Sequence, residues 1–182
     1  SSYSDAMVKL MAFLGNPTSQ YAKTRHNVGW MIADHIYPME AWSQKFHGRM
    51  SSRDGVFLLK PETFMNESGR SVRAALDYYN LEAEQLLVIH DDLELPFGTL
   101  RLQQGGGLGG HKGLRSIVQH LSDDSFLRLR VGVGRPVHGS VSSWVLSRFD
   151  PIEEALLPDL FNTAHIMLKS QHSTLPVIKT FA

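Results

Sequence analysis

The 182-residue chain contains no cysteine. That absence excludes disulfides, thiolate zinc sites and a cysteine nucleophile, and it suits a reducing compartment, so the expected location is the cytoplasm. Long hydrophobic runs are also missing. Nothing approaches the ~20 apolar residues that span a bilayer, and Ser1 to Met7 lacks the basic and apolar regions of a signal peptide, so no membrane partner is expected. Net charge is absent too, since 18 Lys and Arg balance 18 Asp and Glu, far from the basic excess of a typical nucleic-acid binder. There is no Gly-x-Ser-x-Gly elbow to activate a serine. A P-loop fails because Lys112 follows His111 rather than glycine and Gly113 stands where Ser or Thr is required. Water remains the most economical nucleophile.

What is present is enough for one globular domain, at 42% hydrophobic residues. The expected domain is 7–182. Residues 1–6 are small and polar and read as a cloning scar or frayed terminus outside the fold. The balanced charge hides an asymmetry. Arg101, Lys112, Arg115, Arg128, Arg130, Arg135 and Arg148 face only Asp123 and Asp124 between Gly98 and Phe149, a local excess of +5 against −5 elsewhere. Such a split can build a phosphate-facing surface, or it is simply a set of solvated arginines.

Periodicity predicts alternating strands and helices. Val8 to Leu14 reads as a buried strand ended by Gly15-Asn16-Pro17, and Asn27 is expected to cap a helix through about Ile36. Gly55 to Lys60 is the next strand, Pro61 to Glu67 a loop, and Val72, Ala75, Leu76 and Tyr79 mark a helical face. A short strand from Leu86 to Ile89 delivers His90, Asp91 and Asp92 to its carboxyl end, the edge where open α/β sheets bind ligands. Gly98 to Leu102 is another candidate strand, followed by the glycine run Gly105 to Gly110 and a helix carrying Leu114, Ile117, Val118 and Leu121. Leu127, Leu129, Val131 and Val133 alternate with Arg128 and Arg130, a half-buried strand whose arginines share a face. Asp150, Pro151 and Glu153 start a last helix, which Pro158 is expected to kink or interrupt. The fold class is α/β, a single domain with a mixed, mostly parallel twisted sheet flanked by helices.

His26 lies in the polar loop Thr24-Arg25-His26-Asn27, and imidazole titrates near neutrality, at about 6.5, which suits a general base. Asp91 is a candidate to orient that ring. Asp91 and Asp92 also read as a turn or capping pair, and a metal site at His90, Asp91 and Asp92 is the weaker option. Asn16 and Asn66 follow predicted strands, where an amide can donate to and accept from a peptide group, or simply shape a turn. Gly105, Gly107 and Gly110 match the dinucleotide fingerprint in form. The preceding segment, with Arg101, Gln103 and Gln104, lacks the buried apolar strand that fingerprint needs.

Gly15-Asn16-Pro17, Tyr21, Thr24-Arg25-His26-Asn27-Val28-Gly29, Pro61-Glu62-Thr63-Phe64-Met65-Asn66 with Ser68-Gly69, His90-Asp91-Asp92-Leu93 and Gly105 to Ser116 together resemble the bacterial peptidyl-tRNA hydrolase family, in order across most of the chain. The resemblance implies a monomeric α/β enzyme that needs no metal or cofactor. It hydrolyses the ester between a peptide and the terminal ribose of tRNA, and so recycles tRNA after aborted translation. It implies His26 as general base and Asp91 as its orienting carboxylate. Asn16 is then the group that separates blocked from free aminoacyl substrates, and Asn66 the amide holding the peptide main chain or the oxyanion. Tyr21 and Phe64 line the tRNA acceptor end, and Arg130, or less directly Arg101, grips its phosphate.

The chain departs from that pattern at Lys112, where the family usually has asparagine after Gly-His, and at Gln103, where a basic residue is common. A charged lysine donates but cannot accept, so Lys112 is expected to recruit phosphate or to depress the pKa of His26. A non-catalytic RNA-binding relative of the same fold is the rival reading, and binding of tRNA without turnover distinguishes it.

Overall fold

The computed structural model describes residues 7–170 and 176–180; the segment expected to be a scar, residues 1–6, lies outside the described residues. The order of elements is β1 (Leu10–Phe13), α1 (Val28–Ile36), β2 (Ser43–Lys45), β3 (Gly48–Arg53), β4 (Val56–Pro61), α2 (Ser68–Tyr79), β5 (Leu86–Asp92), β6 (Thr99–Gln104), α3 (Lys112–Leu121), β7 (Leu127–Gly132), α4 (Val141–Val145), α5 (Pro151–Ser170) and β8 (Val177–Thr180). Among the described residues they form one eight-stranded sheet in the order β2-β3-β4-β1-β5-β7-β6-β8. The centre, β4-β1-β5-β7, is parallel, and the flanks are antiparallel. The mixed sheet follows the sequence reading. Neither the β2–β3 hairpin nor β8 was legible, because polar edge strands such as Ser43–Lys45 carry no apolar alternation.

Strand alternation builds two cores. Met11, Phe13, Leu87 and Ile89 point to the face covered by α1 and α5, and pack with Val28, Ile32, Leu160 and Phe161. Leu10, Ala12, Leu86 and Val88 point to the opposite face, under α2 and α3, with Val72, Leu76, Leu114 and Ile117. Each such side chain contributes about 1.5–3 kcal/mol when fully buried. Gly29 brings α1 hard against the sheet. A Cβ there would lie 2.6 Å from the Leu14 carbonyl oxygen and 2.8 Å from that of Ile89, so only glycine lets the helix start so close to β1 and β5.

Two local expectations are corrected. α5 runs unbroken from Pro151 to Ser170 through Pro158. Pro158 is exposed, so the Glu154 carbonyl it leaves without a donor lies on the solvent side, while Leu157, Leu160, Phe161, Ala164 and Leu168 hold the opposite face in the core. Asn27 does not cap α1 with its side chain; that amide is used elsewhere, as described below. No helix of the described residues is long and apolar enough to cross a membrane.

Candidate active site

A cleft of about 590 Å³ opens at the carboxyl ends of the parallel strands. Its floor is built from the segments after β1, β4 and β5 and from the turn entering α3, and it is lined by Asn16, His26, Phe64, Asn66, Asp91, His111 and Lys112 among others.

His26 sits in a single 3-10 turn, Arg25–Asn27, immediately before α1. Its neighbours anchor it on both sides. The Arg25 guanidinium, 1% exposed, lies 3.4 Å from the Trp144 ring centroid, donates to the Trp144 carbonyl (3.2 Å), and pairs with Asp150 and Glu153 at 3.6 Å each. Asn27 is fully buried. Its Oδ1 accepts from the Asn16 N–H and its Nδ2 donates to the Asn16 carbonyl, both at 2.9 Å, so Asn27 locks the loop after β1 to the start of α1. This use, rather than capping, explains its place next to His26.

Asp91 is the last odd-numbered inward position of β5, continuing Leu87 and Ile89 toward the α1 face, and period two therefore aims it at His26. It remains inside the strand, paired in register with Val131, so the turn reading fails for Asp91, whereas Asp92 ends the strand and accepts the Glu94 N–H at 2.8 Å as a turn residue does. The His26 Nδ1 lies 2.9 and 3.0 Å from the two Asp91 oxygens, which assigns its N–H to the carboxylate and leaves Nε2 as the free lone pair. Burial disfavours the charged ring, but the Asp91 charge and hydrogen bond outweigh it, and the His26 pKa is raised above 6.5 even though Lys112 pulls it down. Burial would raise the Asp91 carboxyl, yet His26 and His111 hold it well below the usual carboxylate range.

His111 was not singled out by the sequence. Its Nε2 lies 2.9 Å from Asp91 Oδ1, and its Nδ1 accepts from the backbone N–H groups of Gly113 and Leu114 at 3.1 and 3.2 Å. Because Nδ1 accepts, Nε2 must carry the hydrogen, and His111 donates to Asp91 while capping α3. Histidine is an unusual cap, so no sequence rule pointed to it. His26, Asp91 and His111 are close enough to suggest a metal cluster. The hydrogen on His111 Nε2, already given to the carboxylate, makes that nitrogen a donor rather than a ligand.

The even-numbered residues of β5 face the other way. The His90 Nδ1–H donates to the Asp91 carbonyl (2.8 Å) and its Nε2 accepts from Arg128 Nε (3.1 Å). Burial, His111 and Arg128 push it down to about 3. It is a neutral structural imidazole. Arg128, 2% exposed, also donates to the carbonyls of Gly105 and Gly107, which fixes the glycine run as a platform. Arg130 donates to Asp92 (2.7 Å) and to Gln103 (3.0 Å), and in register it faces Arg101 on β6. It does not line the cleft.

The Asn16 Oδ1 accepts from the Met65 N–H at 2.7 Å, which leaves its NH₂ for the cleft. Asn66 is exposed in the 3-10 turn after β4. Phe64, 50% exposed, meets Tyr21 edge to face with centroids 6.3 Å apart.

Comparison with known proteins places this geometry. A family model described as Peptidyl-tRNA hydrolase matches residues 10–177. The chain is 48% identical over 169 residues to a peptidyl-tRNA hydrolase of Pelobacter propionicus, covering 88% of this chain and 86% of that protein. It is 47% identical over 164 residues to one of Treponema pallidum, covering 84% and 81%. The crystal structure of peptidyl-tRNA hydrolase from Acinetobacter baumannii superposes with a TM-score of 0.80 at 38% identity, covering 89% of this chain and 87% of that one.

Proposed function

The chain belongs to the peptidyl-tRNA hydrolase family, an ester hydrolase acting on peptidyl-tRNA, and we propose that His26, oriented by Asp91, is the general base of that hydrolysis. The observation that carries the proposal is the pairing of His26 Nδ1 with Asp91 at 2.9 Å, which commits that N–H to the carboxylate and leaves the Nε2 lone pair free on a ring that lines the cleft. Nε2 takes a proton from water as the water oxygen attacks the ester carbonyl. The tetrahedral intermediate then breaks its bond to the ribose oxygen, and the imidazolium returns the proton to that oxygen. The products are the free peptide acid and tRNA. Asp91 stabilises the transient imidazolium, and His111 holds Asp91 in place.

Asn16 binds the substrate through its NH₂, because its carbonyl is committed to Met65, so the group it recognises is a peptide carbonyl of an N-blocked substrate. Asn66, in the same cleft, supports the developing oxyanion. Phe64 and Tyr21 offer an aromatic surface to the unstacked acceptor end. Arg130 grips phosphate only while sharing its guanidinium with Asp92 and Gln103, and Arg101 beside it supplements the charge. The protein works as a cytoplasmic monomer with no metal.

The test is release of tRNA from an N-acetylaminoacyl-tRNA by the purified protein, at low salt so that binding is not limiting, with and without His26→Ala. Turnover in the parent and its loss in the variant is expected. Binding of tRNA with no turnover in the parent would favour a non-catalytic RNA binder.

A further inference from the structure

The carboxylates that line the cleft are all matched. Asp91 receives His26 and His111, Asp92 receives Arg130 with Arg128 behind it, and Glu94 pairs with Arg135. His90, the remaining titratable group of the lining, is neutral and bonded on both nitrogens. Lys112 lines the same cleft, exposed, one residue from the imidazole that holds Asp91, and among the described residues no carboxylate lies within ion-pair distance of its ammonium. Lys112 is therefore the one cation of the lining without an ion-pair partner among the described residues, while the Asp91 charge is buried behind the two imidazoles that donate to it. The lysine lines one cleft with His26, the base that serves the reacting ester.

We propose that Lys112 is a specificity-determining residue that rejects substrates bearing a free α-ammonium. The inference rests on the esterase reading above. In a peptidyl or N-acetyl ester the α-nitrogen is a neutral amide, which Lys112 tolerates. In an unblocked aminoacyl ester the same nitrogen is an ammonium at and below neutral pH, one bond from the carbon that bears the scissile carbonyl. Asp91 is buried behind its imidazoles, and Asp92 and Glu94 are held by arginines, so no exposed, unpaired carboxylate of the lining draws it in against the repulsion by Lys112. This is rejection by an unfavourable contact, added to the favourable one that Asn16 makes with the blocked substrate.

The experiment measures kcat/KM for an N-acetylaminoacyl-tRNA and for the same tRNA with its amine free, across pH, in the parent, Lys112→Asn and Lys112→Arg. Taking the ratio of the two substrates cancels the titration of His26, which both require. In the parent the preference for the blocked substrate grows as pH falls through the amine pKa, about 7.7–8.0 for an α-amino group. Lys112→Arg keeps that behaviour. Lys112→Asn lowers the preference about tenfold, the effect of a like-charge pair about 6 Å apart at an effective dielectric of about 40, and flattens its pH dependence. An unchanged ratio and pH slope in Lys112→Asn, with the parent active on the blocked substrate, overturns the charge filter alone. A parent that turns over neither substrate overturns the esterase reading along with it.

Discussion

Asp91 and Asp92 are neighbours on one strand, yet they organise two regions of opposite character. Asp91, on the α1 face, holds two imidazoles, one of which keeps a free lone pair toward the cleft. Asp92, with His90, belongs to the other face, where the guanidiniums of Arg128 and Arg130 are tied to carbonyls, an imidazole and a carboxylate. Both regions are buried and charged. The first leaves one titratable atom unsatisfied and open to a ligand, whereas the second satisfies its polar atoms internally. A carboxylate that orients a base and one that neutralises a buried cation look alike in sequence, and differ in whether their partners have anything left to offer.

That contrast can be broken from either side. His26→Ala is expected to lower kcat by about 10²–10⁴, the usual weight of a general base, with the thermal midpoint little changed. Arg128→Met should do the reverse. It leaves the His90 Nε2 and the Gly105 and Gly107 carbonyls without their donor, while Arg130 still pairs with Asp92; at about 1–3 kcal/mol per stranded acceptor the cost is about 3–5 kcal/mol in denaturant titration, while the folded fraction keeps its turnover.

Asp91→Asn lies between these extremes. It should cost about 10² in kcat. Without the carboxylate charge, burial and Lys112 are left to act on His26, so the acid limb of the pH–rate profile, expected above 6.5 in the parent, moves to lower pH. An acid limb that stays in place would show that Asp91 does not set the basicity of His26.

The effect confined to acid pH, and smallest at neutrality, belongs to His90. Its folded pKa, about 3, lies below the unfolded value of about 6.5, so its contribution to stability is complete above about 6.5 and is lost as pH falls toward about 3. His90→Gln, which keeps a donor and an acceptor, should make the decline of the thermal midpoint over that window shallower than in the parent.

The central strands and α1 to α3 were legible because a buried strand or amphipathic helix writes its period into the chain, as in Leu127, Leu129 and Val131. The edge strands were not, since Ser43–Lys45 is exposed throughout and pairs by backbone alone. At the site, His26, Asp91, Asn16, Asn66 and Phe64 were named from motifs, and they line one cleft. His111 was missed because its cap and its bond to Asp91 join a glycine turn to a distant strand. Asn27 was misjudged because Asn before a helix usually caps it, and here a buried backbone pair on Asn16 competes more strongly for the same amide.

By itself the sequence determined the fold class, the family and the residue types available for chemistry, since these depend on local period and on which side chains exist. Tertiary structure alone decided which histidine keeps a free lone pair, which carboxylates are spent on guanidiniums, and that Lys112 has no ion-pair partner among the described residues. Those properties depend on distances of about 3 Å between segments remote in the chain, where a hydrogen bond forms or does not.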